Sequence, residues 1–110
     1  MTPQLDIRRY VSKTGRDIFG EWLAALKDVR TRAKILARID RLAAGNFGDC
    51  KSLRGGLSEL RTDWGPGYRV YYALAGRACV LLLCAGDKRK QSSDIRSALE
   101  YLRDYKERTL

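Results

Sequence analysis

Apolar residues along this chain recur with two periods, and the switches between them mark the elements. Leu5 and Ile7 alternate with polar neighbours in LDIRRYV, the two-residue period of a strand. From Ile18 the period lengthens. Ile18, Phe19, Trp22, Leu23 and Leu26 fall on one helical face, predicting a helix to about Lys27. Thr14 and Asp17 stand ahead of it like a capping box with Asp in place of Glu. A second helix is predicted over 29–44 from Ile35, Leu36, Ile39, Leu42 and Ala43, with Gly45 as its stop. GNFGDCKSLRGG then reads as a loop. Three strand-type runs follow, at 57–61, 68–74 and 79–85, the last two joined by a turn at Ala75-Gly76-Arg77. The third run, CVLLLCA, is continuously apolar, as expected of a central strand covered on both faces. GDKRKQSSD leads into a closing helix with Ser92 or Ser93 as N-cap and Asp94 in its first turn. Its apolar stripe is Ile95, Ala98, Leu99, Leu102 and Tyr105.

The predicted order is β-α-α-β-β-β-α, an α+β fold in one domain spanning 1–110. The last three strands form an antiparallel meander. The helices are expected on one face of it, leaving the other face to polar strand residues.

That arrangement gives LSELRTDWGPGYRVYY its meaning. Closing the hairpin sets Arg61 opposite Arg69 and Glu59 opposite Tyr71, all four on the face expected to be open. Leu60, Tyr68, Val70, Tyr72 and Leu74 take the core side. Like charges across a strand pair are destabilising. Two guanidinium forks there are explained by a phosphate between them. Alternatively they diverge into solvent, or Glu59 neutralises one. Trp64, in the loop between the arginines, either stacks on a base or covers the hairpin end, whereas Trp22 reads as core. Lys88, Arg89 and Lys90 follow the central strand and form a second basic cluster, or a charged loop serving solubility. Arg30, Lys34, Arg38 and Arg41 form a stripe on one face of the second helix. Such a stripe is either solvated or binds nucleic acid or an acidic protein.

Composition sharpens the choice. Lys and Arg number 22 against 13 Asp and Glu, a net charge of +9 with a pI near 9.8. This is the footprint of a protein that binds nucleic acid or an acidic partner. The three cysteines, Cys50, Cys79 and Cys84, lack Cys-x-x-Cys spacing and read as reduced small hydrophobes. There is no histidine, which removes the commonest general base and metal ligand. No metal and no cofactor is expected. The first ten residues carry no apolar signal-peptide core and no segment is long enough to span a membrane, so a cytoplasmic location is expected.

GGLSELRTDWGPGYRVYY, followed by VLLLCAGDKRKQSSDI and a closing helix, resembles the RelE/ParE toxin superfamily. The likeness is strongest to its phage-derived, HigB-like branch of addiction-module killer proteins, whose fold has the same β-α-α-β-β-β-α order. The resemblance implies the toxin of a type II toxin-antitoxin pair. Its partner would be a cognate antitoxin with a helix-turn-helix domain, HigA-like and acidic where it meets the toxin. Many members are ribosome-dependent endoribonucleases acting on mRNA; the ParE branch instead inhibits DNA gyrase. Arg69, in Gly-Tyr-Arg, matches the family's phosphate-contacting arginine, and Lys88 or Arg89 matches a basic residue after the next strand. Glu59, with Arg61 two residues on, stands where some members carry lysines. One branch's tyrosine falls at about Ile95, and the histidines of other HigB-type toxins are absent. For cleavage by a neighbouring 2'-hydroxyl, Arg61 and Arg69 would supply charge at the phosphate. Glu59 is the first candidate proton acceptor and Lys88 the second. Arg89, Lys90, Trp64, Tyr71, Arg30, Lys34 and Arg38 are the candidate RNA contacts.

Overall fold

A computed structural model describes residues 4–109. The chain runs β1 (Asp6–Arg9), α1 (Ile18–Ala25), α2 (Val29–Ala43), β2 (Cys50–Ser52), β3 (Leu57–Arg61), β4 (Tyr68–Ala75), β5 (Cys79–Asp87) and α3 (Gln91–Arg108). Short 3-10 turns precede β3 at Arg54–Gly56 and α3 at Lys88–Lys90. The class is α+β, with a five-stranded sheet in the order β1-β5-β4-β3-β2. The meander β3-β4-β5 is antiparallel as expected. The sheet as a whole is mixed, because β1 pairs in parallel with β5. β2, in the stretch read as a loop, adds an antiparallel edge strand beside β3. Three residues without apolar alternation gave it no periodic signal.

Helix boundaries follow their caps. Asp17, not Thr14, caps α1, its carboxylate accepting from the Gly20 amide. Asp28 caps α2 through the Arg30 amide. α3 starts at Gln91, before the serines expected to cap it, because the Lys88–Lys90 turn runs straight into it. Asp87 caps that turn by accepting from the Arg89 amide.

Two apolar clusters sandwich the sheet. On one face Phe19 and Leu23 of α1 and Ile35, Ile39 and Leu42 of α2 pack with Leu60, Val70, Tyr72, Val80 and Leu82. On the other, Ala98 and Leu102 of α3 pack with Leu57, Tyr71, Ala73, Leu81, Leu83 and Cys84. A register shift between Tyr71 and Tyr72 leaves one extra residue on β5, which places Leu83 and Cys84 both toward α3. Leu36 and Leu74, expected in the core, lie at its margin, 40% and 58% exposed.

The expectation of helices on one face only is therefore corrected: α3 covers the second. The physical reason is in the pattern. α3 carries an apolar stripe, and β5 is apolar on both faces. Burying a large aliphatic side chain contributes about 1.5–3 kcal/mol. Leu57, Leu81, Leu83 and Leu102 together outweigh the several kcal/mol that a covered carboxylate costs.

Candidate anion-binding site at the end of the sheet

The β3–β4 register is the one the sequence implied: Arg61 pairs with Arg69, and Glu59 with Tyr71. Beyond it the chain makes a tight loop. The Thr62 amide and hydroxyl both donate to the Tyr68 carbonyl at 3.0 Å, and the Gly67 amide donates to the Trp64 carbonyl at 3.1 Å. Gly65 and Gly67 sit at φ 56° and 74°, a left-handed backbone that only glycine adopts without strain. A Cβ on Gly67 would stand 3.5 Å from Lys88 Cβ. The loop thus packs against the turn that leaves β5.

Between loop, turn and the end of β2 lies a cavity of about 390 Å³, lined by Arg61, Arg69, Lys88, Asp49, Thr62 and Asp63 among others. Three cations from three elements face one space. Arg61 is fixed by Asp49, whose Oδ1 accepts from Nη2 at 3.1 Å and from Nε at 3.3 Å. Its side chain stays 38% exposed. Arg69 is more enclosed, 12% exposed, with Nε 4.0 Å from Glu59 Oε2. That is an ion pair too long for a hydrogen bond, and Nε has no hydrogen-bond partner.

The sequence placed Glu59 and Tyr71 on an open face, and this is corrected: both are 0% exposed, buried beneath α3. Glu59 Oε2 accepts from the Tyr71 hydroxyl at 2.9 Å and from Gln91 Nε2 at 2.8 Å. Burial, then the Glu59 carboxylate, pushes the Tyr71 phenol well above the usual tyrosine range. The pair therefore works inside the fold. It ties β3, β4 and the start of α3 together behind Arg69, and neither side chain is placed to meet a ligand directly.

The other candidates divide. Lys88, Arg89 and Lys90 are exposed, and Arg89 pairs with Asp87 at 3.1 Å, which holds the Asp87 carboxyl below its usual range. Trp64 is half-buried against the first apolar cluster with Lys34 Nζ 5.4 Å from its ring centre. This is the hairpin-covering role, with one rim still open to a cavity beside α2. Arg38 donates from Nη1 to the Arg61 carbonyl at 2.9 Å. Arg30 is exposed in the first turn of α2 and lines neither cavity. Trp22 is half-buried and meets Tyr68 edge-on at 5.8 Å.

Asp49, Asp63 and Gln91 were not singled out from the sequence. Asp49 flanks the unrecognised β2, and Gln91 lies in GDKRKQSSD, the segment read as leading into the closing helix. Asp63 neighbours Trp64 in the loop and carried a signal that was available: an acid between two arginines. The cysteines are free. Burial, then Asp94, pushes the Cys84 thiol up to about 12, so it stays protonated as a small hydrophobe. Among the described residues no three Cys, Asp or Glu side chains cluster as metal ligands. No helix among the described residues is long and apolar enough to cross a membrane.

Two comparisons bear on this site. Residues 21–103 match the family model described as Phage derived protein Gp49-like (DUF891), a span holding every cavity residue named above. The family is associated with RelE-like and other toxin-like addiction-module proteins. A protein of Haemophilus influenzae bearing the name "Uncharacterized protein" is 54% identical over 80 residues, 73% of this chain and 81% of its own length. With most of the chain matched, including the basic cavity and both strands that frame it, this protein belongs to the Gp49-like family of phage-derived proteins.

Proposed function

We propose that this protein is the toxin of a type II toxin-antitoxin pair and acts as a ribosome-dependent mRNA endoribonuclease. The observation that carries the reading is the convergence of Arg61, Arg69 and Lys88 on one cavity at the end of the sheet. Cations fixed by Asp49 and Glu59 rather than free in solvent are preorganised for a charge that grows on a phosphate.

In this scheme the RNA 2'-oxygen attacks the adjacent phosphorus and the bond to the 5'-oxygen breaks, leaving a 2',3'-cyclic phosphate and a 5'-hydroxyl. Arg61 and Arg69 bind the equatorial oxygens, and Lys88 donates a proton to the departing 5'-oxygen. Arginine cannot serve as the base because it stays protonated. Glu59, enclosed and already accepting two hydrogen bonds, holds Arg69 instead of taking the proton. Asp63, a carboxylate on the cavity wall with no ion-pair partner among the described residues, is the proton acceptor. Arg89 and Lys90 flank the site as further backbone contacts. Placement of mRNA by the ribosome supplies the remaining acceleration through positioning. The cognate antitoxin, HigA-like with a helix-turn-helix domain, neutralises the toxin through an acidic segment that complements the +9 charge.

The test is expression without antitoxin, with mRNA 5' ends mapped in the cell. Arg69→Ala, Arg61→Ala and Lys88→Ala are each expected to lower cleavage about a hundredfold, the order of effect of losing one transition-state contact, while folding and antitoxin binding persist. Full toxicity in all three variants, with gyrase inhibited and mRNA intact, would replace the nuclease by a ParE-type inhibitor.

A further inference from the structure

A second basic cavity, about 450 Å³, lies beside the first and is lined by Lys34, Arg38, Arg41, Asp63 and Trp64. The two are not independent. Asp63 lines both, so the segment from Arg61 to Trp64 is the wall between them. The first cavity opens on one side of this wall, toward Lys88, and the second on the other, toward α2.

The second cavity is built from fixed parts. Arg38 is anchored by its Nη1 bond to the Arg61 carbonyl, and Gly48 closes behind it, since a Cβ there would stand 3.2 Å from Arg38 Nη2. That Nη2 and Trp64 Nε1 are both shielded donors with no hydrogen-bond partner. Lys34 lies over the indole face, and Arg41, two turns on, is exposed. Donors outnumber acceptors heavily here, and Asp63 is the one acidic lining residue. A ligand that supplies oxygen acceptors and negative charge complements such a surface.

We propose that this cavity is a subsite for the phosphodiester of a nucleotide flanking the one held between Arg61 and Arg69. The strand of RNA passes over the hairpin tip from the Lys88 side onto α2, and Lys34 and Arg41 take the flanking phosphate. This rests on the nuclease reading above and adds a direction and a second contact to it. A polyanion with regularly spaced charges spans two adjoining basic cavities, whereas a single small anion occupies one. An acidic protein segment is the competing occupant of the α2 side, and the test separates it.

The probe is a fluorescein-labelled single-stranded RNA hexamer, its affinity measured by anisotropy between 50 and 200 mM salt. Three variants are compared with the native chain: Lys34→Ala/Arg41→Ala; a charge-matched control on α3, Arg96→Ala/Arg103→Ala; and Arg69→Ala. All the double-variant positions are exposed, and circular dichroism checks the fold. The subsite predicts that the Lys34/Arg41 variant binds the hexamer about tenfold more weakly than the control, with a salt slope lower by about 0.7, the value for one lost single-strand phosphate contact. A dinucleotide, too short to reach both cavities, should bind the two double variants alike.

If the Lys34/Arg41 variant and the control bind the hexamer equally while Arg69→Ala weakens it, the subsite is wrong and the nuclease reading stands. The α2 face then belongs to a protein partner. If the native chain does not bind the hexamer, or Arg69→Ala binds as the native chain does, the subsite is wrong, and the ribosome-dependent nuclease reading is decided by the cleavage test above.

Discussion

Glu59 shows how much one residue's surroundings decide. A carboxylate in a strand next to two arginines reads as a surface base, yet here it is buried, with both hydrogen bonds on Oε2 and none on Oε1. Its partners constrain what substitution does. Glu59→Ala removes the acceptor from a buried tyrosine hydroxyl and leaves a void, which should destabilise the fold by about 2–4 kcal/mol. Urea unfolding measures this. Glu59→Gln retains an oxygen acceptor of the same shape and should lose less stability. It removes the charge beside Arg69, however, so RNA cleavage should still fall. Cleavage at the native level in a folded Glu59→Gln variant would show that the ion pair does not position Arg69.

At the scale of elements, the β3–β4 hairpin places the cations through its backbone. Gly67 holds φ 74° where the loop meets Lys88, and a Cβ there would make ordinary contact rather than a clash. Gly67→Ala should therefore cost about 1–2 kcal/mol from the left-handed backbone alone. Relief of that strain would shift the loop and spread the cavity. Gly76, in the β4–β5 turn at the far end of the sheet, has φ 67° with open space around it. Gly76→Ala should lose similar stability in thermal unfolding and leave RNA cleavage unchanged. Equal loss of cleavage in both variants would mean that hairpin geometry matters only through global stability.

For the molecule as a whole, the closing of α3 over the sheet carries a cost that pH exposes. Asp94, in the first turn of α3, has a shielded oxygen without a partner, and Gly86 of β5 lies directly under it; a Cβ there would run into the carboxylate. Burial raises the Asp94 carboxyl above its ordinary 3.8, opposed by Lys90 and helped by Asp87. An acid raised on folding binds its proton more tightly in the native state. Its contribution to stability falls as pH rises from the unfolded value through the folded one, and the deficit persists at neutral pH. Asp94→Asn should therefore melt higher than the native protein at pH 7, with the difference closing as pH drops toward 3.8. A variant that melts lower at pH 7 would mean that the ionised carboxylate is stabilised by its helix N-terminus more than it is disfavoured by burial.

Much of the architecture was legible in the residues. Period gave all three helices and four of the five strands, and alternation plus a short loop gave the pairing of Arg61 with Arg69. These are local matters: which face of an element is apolar and which residues oppose each other across a tight turn depend on neighbours in the chain. Period does not say what covers a face. Whether Glu59 and Tyr71 meet water or α3 was settled by a helix some thirty residues downstream of Glu59, although the unbroken apolar run of β5 already required a second cover. The cavity is equally non-local. Asp49, Arg61, Arg69 and Lys88 belong to four separate segments, and only the sheet order β5-β4-β3-β2 brings them to one end. The sequence by itself determined the elements, their apolar faces and the charge to be placed. The tertiary structure decided which charges became buried struts and which became a site, because that depends on the packing of segments the chain keeps far apart.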